Sequence, residues 1–215
     1  MDIKKFLTTL SFAGATGLIV FEIFSSLYRK PLLYLVVRSQ GFKTLLEIKK
    51  EPFNKWKRIF VTNRADLFRE NFIPYLTNKA SDAEGAYYLN RWCREAFNST
   101  DWDSLTLWRT RRYCTATWAI EFLEEDGVHL VEELDEELRE KEWNKVFKEL
   151  RGNIARAGVI NEFNERENNA DRAIALLQDW CGYRLNQHST KENYLDKKYA
   201  RSWCVTLDSP RRNEA

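Results

Sequence analysis

The pentapeptide LNRWC at residues 89–93 recurs as LQDWC at residues 177–181, and this repetition decides how the chain is interpreted. A second aromatic–cysteine pair follows each copy: Tyr113 and Cys114 after the first, Trp203 and Cys204 after the second. The two cysteines are 21 residues apart in the first copy and 23 in the second. Because Trp and Cys are rare residues, their matched order and spacing predict an internal duplication.

The duplication extends upstream, where FNK at residues 53–55 resembles WNK at residues 143–145, an offset of 90 positions. The repeated motif has helical spacing, with Leu89 and Leu177 on the apolar face and Trp92 and Trp180 as repeat-core residues. The candidate helix caps are Ser81 or Asp82 in the first copy and Asn169 or Asp171 in the second.

The predicted fold class is therefore all-α: an N-terminal transmembrane helix followed by two tandem, duplicated small helical bundles. The predicted segments are an anchor at residues 1–30, repeat unit 1 at 31–120 and an acidic connecting helix at 121–142. Repeat unit 2 follows at 143–208, and a disordered tail occupies 209–215.

The anchor prediction rests on residues 6–28, an apolar segment interrupted only by Glu22 and followed by Arg29 and Lys30. About 20 helical residues span a hydrocarbon core, and cations are expected at the boundary. Two alternatives are a cleavable signal peptide ending near AGA at residues 13–15 and a buried helix of a soluble protein. The flanking positive charges favour a cytoplasmic C-terminal domain, whereas the cysteines favour an extracellular one.

The four cysteines allow two interpretations. They are either free thiols buried on helix faces or one disulfide within each copy, Cys93 with Cys114 and Cys181 with Cys204. Duplication favours the disulfides, because each ancestral unit would have been stable with its own pair. This pairing requires Cα–Cα distances of about 4.4–6.8 Å within each copy. The C-x₂-C spacing typical of zinc sites does not occur in the sequence.

The composition gives little support to catalysis. The 215 residues carry a net charge of +2 and contain two histidines, His129 and His188, neither of which has a counterpart in the other copy. No nucleotide-binding, nucleophile-elbow or zinc-protease motif occurs. We therefore assign no catalytic, cofactor-binding or metal-binding residue, and we expect a protein that is not an enzyme and takes no cofactor.

Two charged regions remain. One region contains three tryptophans, at 102, 108 and 118, interleaved with arginines at 109, 111 and 112. In some proteins this pattern binds single-stranded nucleic acid, but more often it belongs to a packed helix with a basic face. The acidic residues of 121–142 are expected on the solvated face of the connecting helix, or paired with the basic first copy.

The apolar N-terminus, the helical units and the ending RSWCVT at residues 201–206 together resemble the large paralogous protein families of haemotropic mycoplasmas. The resemblance implies a membrane-associated or surface protein that varies in antigenicity. It brings no catalytic residue to this chain.

We expect a non-enzymatic, single-pass cell-membrane protein whose C-terminal domain is extracellular and serves interaction or antigenic display. Its expected partners are membrane lipid, through the N-terminal helix, and a protein of the host or a second copy of itself. Nucleic acid is not the expected partner. The alternative is a cytoplasm-facing scaffold or nucleic-acid-binding module tethered to the membrane, and carboxylate-based enzyme chemistry has no dedicated signal.

Overall fold

The structure is a computed structural model that describes residues 30–50, 54–163, 169–190 and 192–210. These residues form eight α-helices and one short 3₁₀ helix without any strand, so the predicted all-α class is confirmed. The helices are α1 (Leu33–Ser39), α2 (Asn54–Glu70), α3 (Asp82–Phe97), α4 (Ser104–Cys114), α5 (Trp118–Leu123), α6 (Glu136–Ala157), α7 (Ala170–Leu185) and α8 (Tyr194–Trp203). The 3₁₀ helix is Val131–Glu133.

The predicted membrane anchor, residues 6–28, lies outside the described residues. Within the part of the chain that the structure does describe, no helix combines the length and the apolar character that crossing a bilayer requires.

Buried apolar side chains form two clusters. The first is built mainly from α1 to α4 and the second mainly from α5 to α8. Helix α5 contributes to both, because Trp118 is buried in the second cluster while Ile120, two residues later, is buried in the first. The two cores are therefore in direct contact through one short helix.

The long helices α2 and α6 bury the same pattern of side chains. Each presents an aromatic residue, a β-branched residue three positions later, a phenylalanine, and an aliphatic residue seven further on. The buried residues are Trp56, Ile59, Phe60 and Leu67 in α2, and Trp143, Val146, Phe147 and Ile154 in α6. The offset between these sets is 87 positions, so the alignment of residues 53–55 with 143–145 expected from sequence differs by three.

A short antiparallel bridge ties the segment before each long helix to the residue after the second cysteine. Thr44 pairs with Thr115 in the first half of the chain, and Leu130 pairs with Val205 in the second. In each half two backbone N–H···O bonds of 2.8–3.1 Å flank the bridge. The flanking bonds are Leu45 to Cys114, Ala116 to Lys43, Val131 to Cys204 and Thr206 to His129.

The predicted connecting helix over residues 121–142 is wrong. Helix α5 ends at Leu123, the chain turns at Gly127 with a φ of +73°, and α6 begins only at Glu136. Between them Leu130 and Val131 are fully buried, and residues 129–131 form the bridge with the end of the chain. Burial of these apolar side chains and backbone pairing outweigh the helix propensity of the surrounding glutamates.

The predicted disordered tail begins too early. Ser209 is buried, and its hydroxyl accepts a hydrogen bond from the His129 N–H at 3.3 Å. The carbonyl of Pro210 accepts a hydrogen bond of 2.7 Å from Arg201. Residues 211–215 lie outside the described part of the chain.

Helix α3 begins and packs for identifiable reasons. Ser81, one of the two predicted candidates, caps α3 and also forms a reciprocal capping box with Glu84. Asn169, one of the two candidates for α7, caps that helix by accepting from the Arg172 N–H at 3.0 Å. Gly85 lies against the Phe60 ring so closely that an added Cβ would be 2.1 Å from Cζ. The absence of a side chain at Gly85 therefore sets how closely α3 approaches α2.

Candidate functional site

The four cysteines form two pairs at disulfide distance. Cys93 and Cys114 have an Sγ–Sγ distance of 1.98 Å, and Cys181 and Cys204 one of 2.01 Å. The Cα–Cα distance is 5.6 Å in both pairs, so the connectivity expected from sequence is confirmed. Since Cys181 is bonded to Cys204, its sulfur is not available as a nucleophile for the nearby His188.

The four residues expected in the repeat core differ in burial. Leu89 and Leu177 are fully buried, and Trp180 is nearly so, in contact with Trp203 at a ring-centroid distance of 5.2 Å. Trp92 is only half-buried and packs edge-on against Phe72. Sequence periodicity placed Trp92 beside the buried face without distinguishing a rim position from a central one.

The tryptophans and arginines between residues 102 and 118 do not form one continuous surface in the structure. Trp118 is fully buried, the Trp102 indole N–H donates to the Pro31 carbonyl at 2.9 Å, and Arg109 pairs with Glu70 at 3.0 Å. These residues have structural partners of their own, which leaves Trp108, Arg111 and Arg112 of α4 to form a surface.

Trp108, Arg111 and Arg112 share one face of α4, because residues three and four apart are neighbours on a helix. They line a groove of about 580 Å³, a volume typical of small-ligand sites. The opposite walls come from α2 and from the end of α7 with the residues that follow it. These walls include Arg58, Asp66, Tyr183, Gln187 and His188, and Thr117 lines the groove from the link between α4 and α5.

The groove carries one arginine whose charge has no carboxylate partner among the described residues. Arg111 donates through Nε to the neutral amide oxygen of Gln40 at 2.7 Å, and its guanidinium lies 5.8 Å from the centre of the Phe42 ring. Arg112, in contrast, pairs with Asp66.

Two buried polar atoms of the groove residues have no hydrogen-bond partner in the described structure: the hydroxyl Oγ1 of Thr117 and the Nε of Arg112. Thr117 is 5% exposed. A buried unpaired donor costs about 1–3 kcal/mol, so native proteins rarely keep one without a reason. Both atoms can donate a hydrogen bond.

His188 lines the groove next to Phe42, and the centroids of the two rings are 6.2 Å apart. Its Nδ1 lies 2.8 Å from Thr115 Oγ1 and 3.2 Å from the Ala116 carbonyl, an oxygen that only accepts hydrogen bonds. The Nδ1 atom therefore carries the proton of the neutral ring. Burial lowers the pKa of His188, and nearby Arg112 lowers it further, against the opposing effects of the Ala116 carbonyl and Glu121.

A second cleft, of about 540 Å³, separates the start of α2 from the acidic segment at residues 121–133. Lys43 pairs with Glu124, and Arg58 pairs with Glu132 at 2.5 Å and also with Glu133. The expected pairing of the acidic residues with the basic first half is therefore present. Burial also lowers the pKa of Lys55 in this cleft, where its amine donates to the Ile48 carbonyl.

No protein-family profile, curated protein or solved structure matches this chain. Among the described residues, no group of three or more His, Cys, Asp or Glu side chains is arranged to hold a metal ion.

The sequence singles out four residues that line the groove, Trp108, Arg111, Arg112 and His188, but it does not predict the groove itself. Its walls come from segments far apart in the chain, and Thr117 and Gln40 carry no motif. One feature of the sequence could have pointed to the groove: Gln40 occupies a place that corresponds to the acidic residue Glu125 in the second half of the chain. This correspondence is recognisable only when α1 is aligned with α5 in the structure.

Proposed function

We propose that this protein is a membrane-tethered, non-enzymatic binding protein whose described region consists of two copies of one disulfide-stapled unit. The observation that carries the proposal is that both cysteine pairs lie at bonding distance, each within its own half of the chain. Disulfides persist outside the reducing cytosol, which favours a domain on the outer face of the membrane.

The duplication is supported by the order of elements. Each half has a short helix, a bridge segment, a long helix, a Trp–Cys helix and a last helix before the second cysteine. Helices α1 to α4 correspond in this order to α5 to α8. On this alignment the acidic residues 121–133 form the beginning of the second unit and are not a linker between the two units.

The left-handed residues after the long helices support the same alignment. Asn71 and Tyr75 have positive φ angles of 44° and 66° after α2, and Gly158 and Glu162 have angles of 63° and 66° after α6. Non-glycine residues rarely adopt this conformation, so its recurrence at an offset of 87 is specific evidence for a shared loop.

The membrane tether is proposed from residues 6–28, and the resemblance to surface-protein families of haemotropic mycoplasmas supports display on the cell surface. The groove between the halves supports a binding role. It combines exposed aromatic rings with an arginine that lacks an acidic partner, the residue types that carry most binding energy in interfaces.

The test is to treat intact cells with protease and, separately, to extract their membranes at alkaline pH. We expect the full-length chain to remain in the membrane pellet and the region from residue 30 onward to be digested on intact cells. A cytosolic protein of the same cells serves as the protected control. A domain that resists protease until the cells are lysed would contradict surface display and favour the cytoplasm-facing scaffold.

The disulfides should make a measurable contribution to the free energy of unfolding. Replacing Cys93 and Cys114 together by Ala should lower the free energy of unfolding by about 3 kcal/mol. The reason is that a crosslink closing a loop of this length restricts the unfolded chain, and the variant loses that restriction. The Cys181 and Cys204 pair should give a similar loss. Urea unfolding of the wild type with and without reductant is the control. Four alkylatable thiols in non-reduced protein from intact cells would contradict the bridges.

A further inference from the structure

The groove between the two halves has an unbalanced charge at Arg111, and the second half of the chain shows how the same position is otherwise neutralised. Arg201 stands three residues before Cys204, as Arg111 stands three residues before Cys114. Arg201 pairs with the carboxylate of Glu125 at 2.9 Å, whereas Arg111 bonds the neutral amide of Gln40.

The two partners also occupy corresponding places. Gln40 follows α1 by one residue and Glu125 follows α5 by two, and each precedes its bridge segment. The fold therefore accommodates a carboxylate at this place, and the first half has an amide there instead. The guanidinium of Arg111 therefore has no charged partner among the described residues, and its two terminal nitrogens have no hydrogen-bond partner there.

Three kinds of donor meet in this groove. They are the guanidinium of Arg111, the unpaired Nε of Arg112 and the buried, unpaired hydroxyl of Thr117. Arg111 is partly exposed on the groove, whereas the Nε of Arg112 and the hydroxyl of Thr117 lie beneath its surface. A ligand with several acceptor oxygens and negative charge would bind Arg111 directly and would reach the two buried donors through a small movement of the lining side chains. Arginine forks match tetrahedral oxyanions, and hydrogen bonds between charged groups are the strong ones.

We infer that this groove is a binding site for the phosphate or sulfate group of a small ligand, with Arg111 as the main ionic contact and Thr117 and Arg112 as buried donors. The exposed faces of Trp108 and Tyr183 flank the site and provide apolar contact for the remainder of the ligand. Asp66 is held by Arg69 and Arg112, so its carboxylate is already neutralised. The inference rests on the proposed binding function and names the ligand chemistry.

The experiment is a nuclear magnetic resonance titration of the full-length protein in detergent micelles, following the arginine Nε–H signals. The probes are inorganic phosphate, inorganic sulfate, a nucleoside monophosphate and a sulfated monosaccharide, with acetate as comparator. We expect saturable shifts of the Arg111 and Arg112 signals with phosphate or sulfate. The tighter of the two larger ligands identifies what carries the oxyanion.

Variants locate the site. Arg111→Gln should weaken binding about tenfold, the loss of one charge-assisted contact. Thr117→Val, which keeps the shape and removes the hydroxyl, should weaken it about threefold or more, as expected for one buried hydrogen bond. Arg91→Gln is the matched control, because Arg91 is an exposed arginine of α3 outside the groove, paired with Glu95.

Three results would overturn the inference: no saturable shift with phosphate or sulfate, equal weakening by Arg111→Gln and Arg91→Gln, or equally tight binding of acetate. These measurements use purified protein and do not depend on where the chain resides in the cell. The surface-display test and the ligand test therefore succeed or fail separately.

Discussion

His188 joins the two halves of the molecule. It follows α7 in the second half, and its Nδ1–H donates to the Thr115 hydroxyl and the Ala116 carbonyl at the end of the first half. The folded state favours the neutral ring, because burial lowers its pKa, whereas the unfolded chain binds a proton near pH 6.5. Below that pH the unfolded state holds more protons, so stability is lost as the pH falls.

We expect the contribution of His188 to the free energy of unfolding to be constant above about pH 7 and to decrease from about pH 6.5 downward. His188→Asn should reduce this slope, as measured by urea unfolding across the pH range. His129→Gln is the matched histidine control and should leave the decrease in place. Identical slopes in wild type and His188→Asn would contradict the prediction.

Residue identity alone predicted some positions and missed others. The pairing of the four cysteines was predictable from their repeated spacing, because an aromatic–cysteine motif occurs twice in the same order in each half of the chain. The half-burial of Trp92 did not follow, since periodicity gives a face and not a depth. The burial of Thr117 was not predictable, because it pairs with His188, which follows α7 and is more than 70 positions away in the sequence.

Helices α2 and α3 make the most extensive contact between any two elements, and Gly85 makes their approach possible. Gly85→Ala places a methyl group inside the Phe60 ring and should destabilise the protein by about 1–3 kcal/mol through overpacking. The measurement is the denaturant midpoint of the purified variant.

Gly182→Ala in α7 is the matched control, because its Cβ would meet nothing within 4 Å. The same exchange should there stabilise the protein by about 0.5–1 kcal/mol, since alanine is the better helix former. Equal effects of the two substitutions would show that the close approach at Gly85 is unimportant.

The acidic segment at residues 121–142 is the element that sequence analysis misjudged. Eleven acidic residues suggested a solvated helix, and this composition masked the apolar residues Val128, Leu130 and Val131, which are buried. Buried and exposed residues alternate here over too few positions for the sequence to predict a strand. Only the pairing partner at residues 204–206 makes the segment extended, and that partner is more than 70 positions away.

At the scale of the whole molecule, opposite charges hold the two halves together beside the shared helix α5. Lys43 and Glu124 form a partly exposed pair across this boundary, and Glu124 also accepts from the Lys49 N–H at 3.0 Å. These contacts lower the pKa of Glu124 despite the opposing effect of its burial.

A double-mutant cycle with Lys43→Met and Glu124→Gln should give a coupling energy of about 0.5–1 kcal/mol that decreases at high salt. The exposed pair Glu137 and Lys141 within α6 is the control, with an expected coupling of about 0.3–0.5 kcal/mol. Unfolding in urea at low and high NaCl supplies the measurement. A coupling no larger than that of the control pair would show that Lys43 and Glu124 do not help to hold the boundary.

The all-α class was predictable from the helical spacing of the apolar residues. The position at which one apolar cluster gives way to the other was not, because it falls at α5, among charged residues, without a glycine- or proline-rich linker.

The sequential order of the two cysteine pairs has a consequence for how the chain matures. Each bridge joins cysteines that are consecutive in the sequence, and no bridge encloses or crosses the other. Because the chain is synthesised from its N-terminus, Cys93 and Cys114 are both present well before Cys181 is added. The first crosslink therefore forms without a competing thiol, and correct connectivity does not depend on a catalyst that reshuffles wrong pairs.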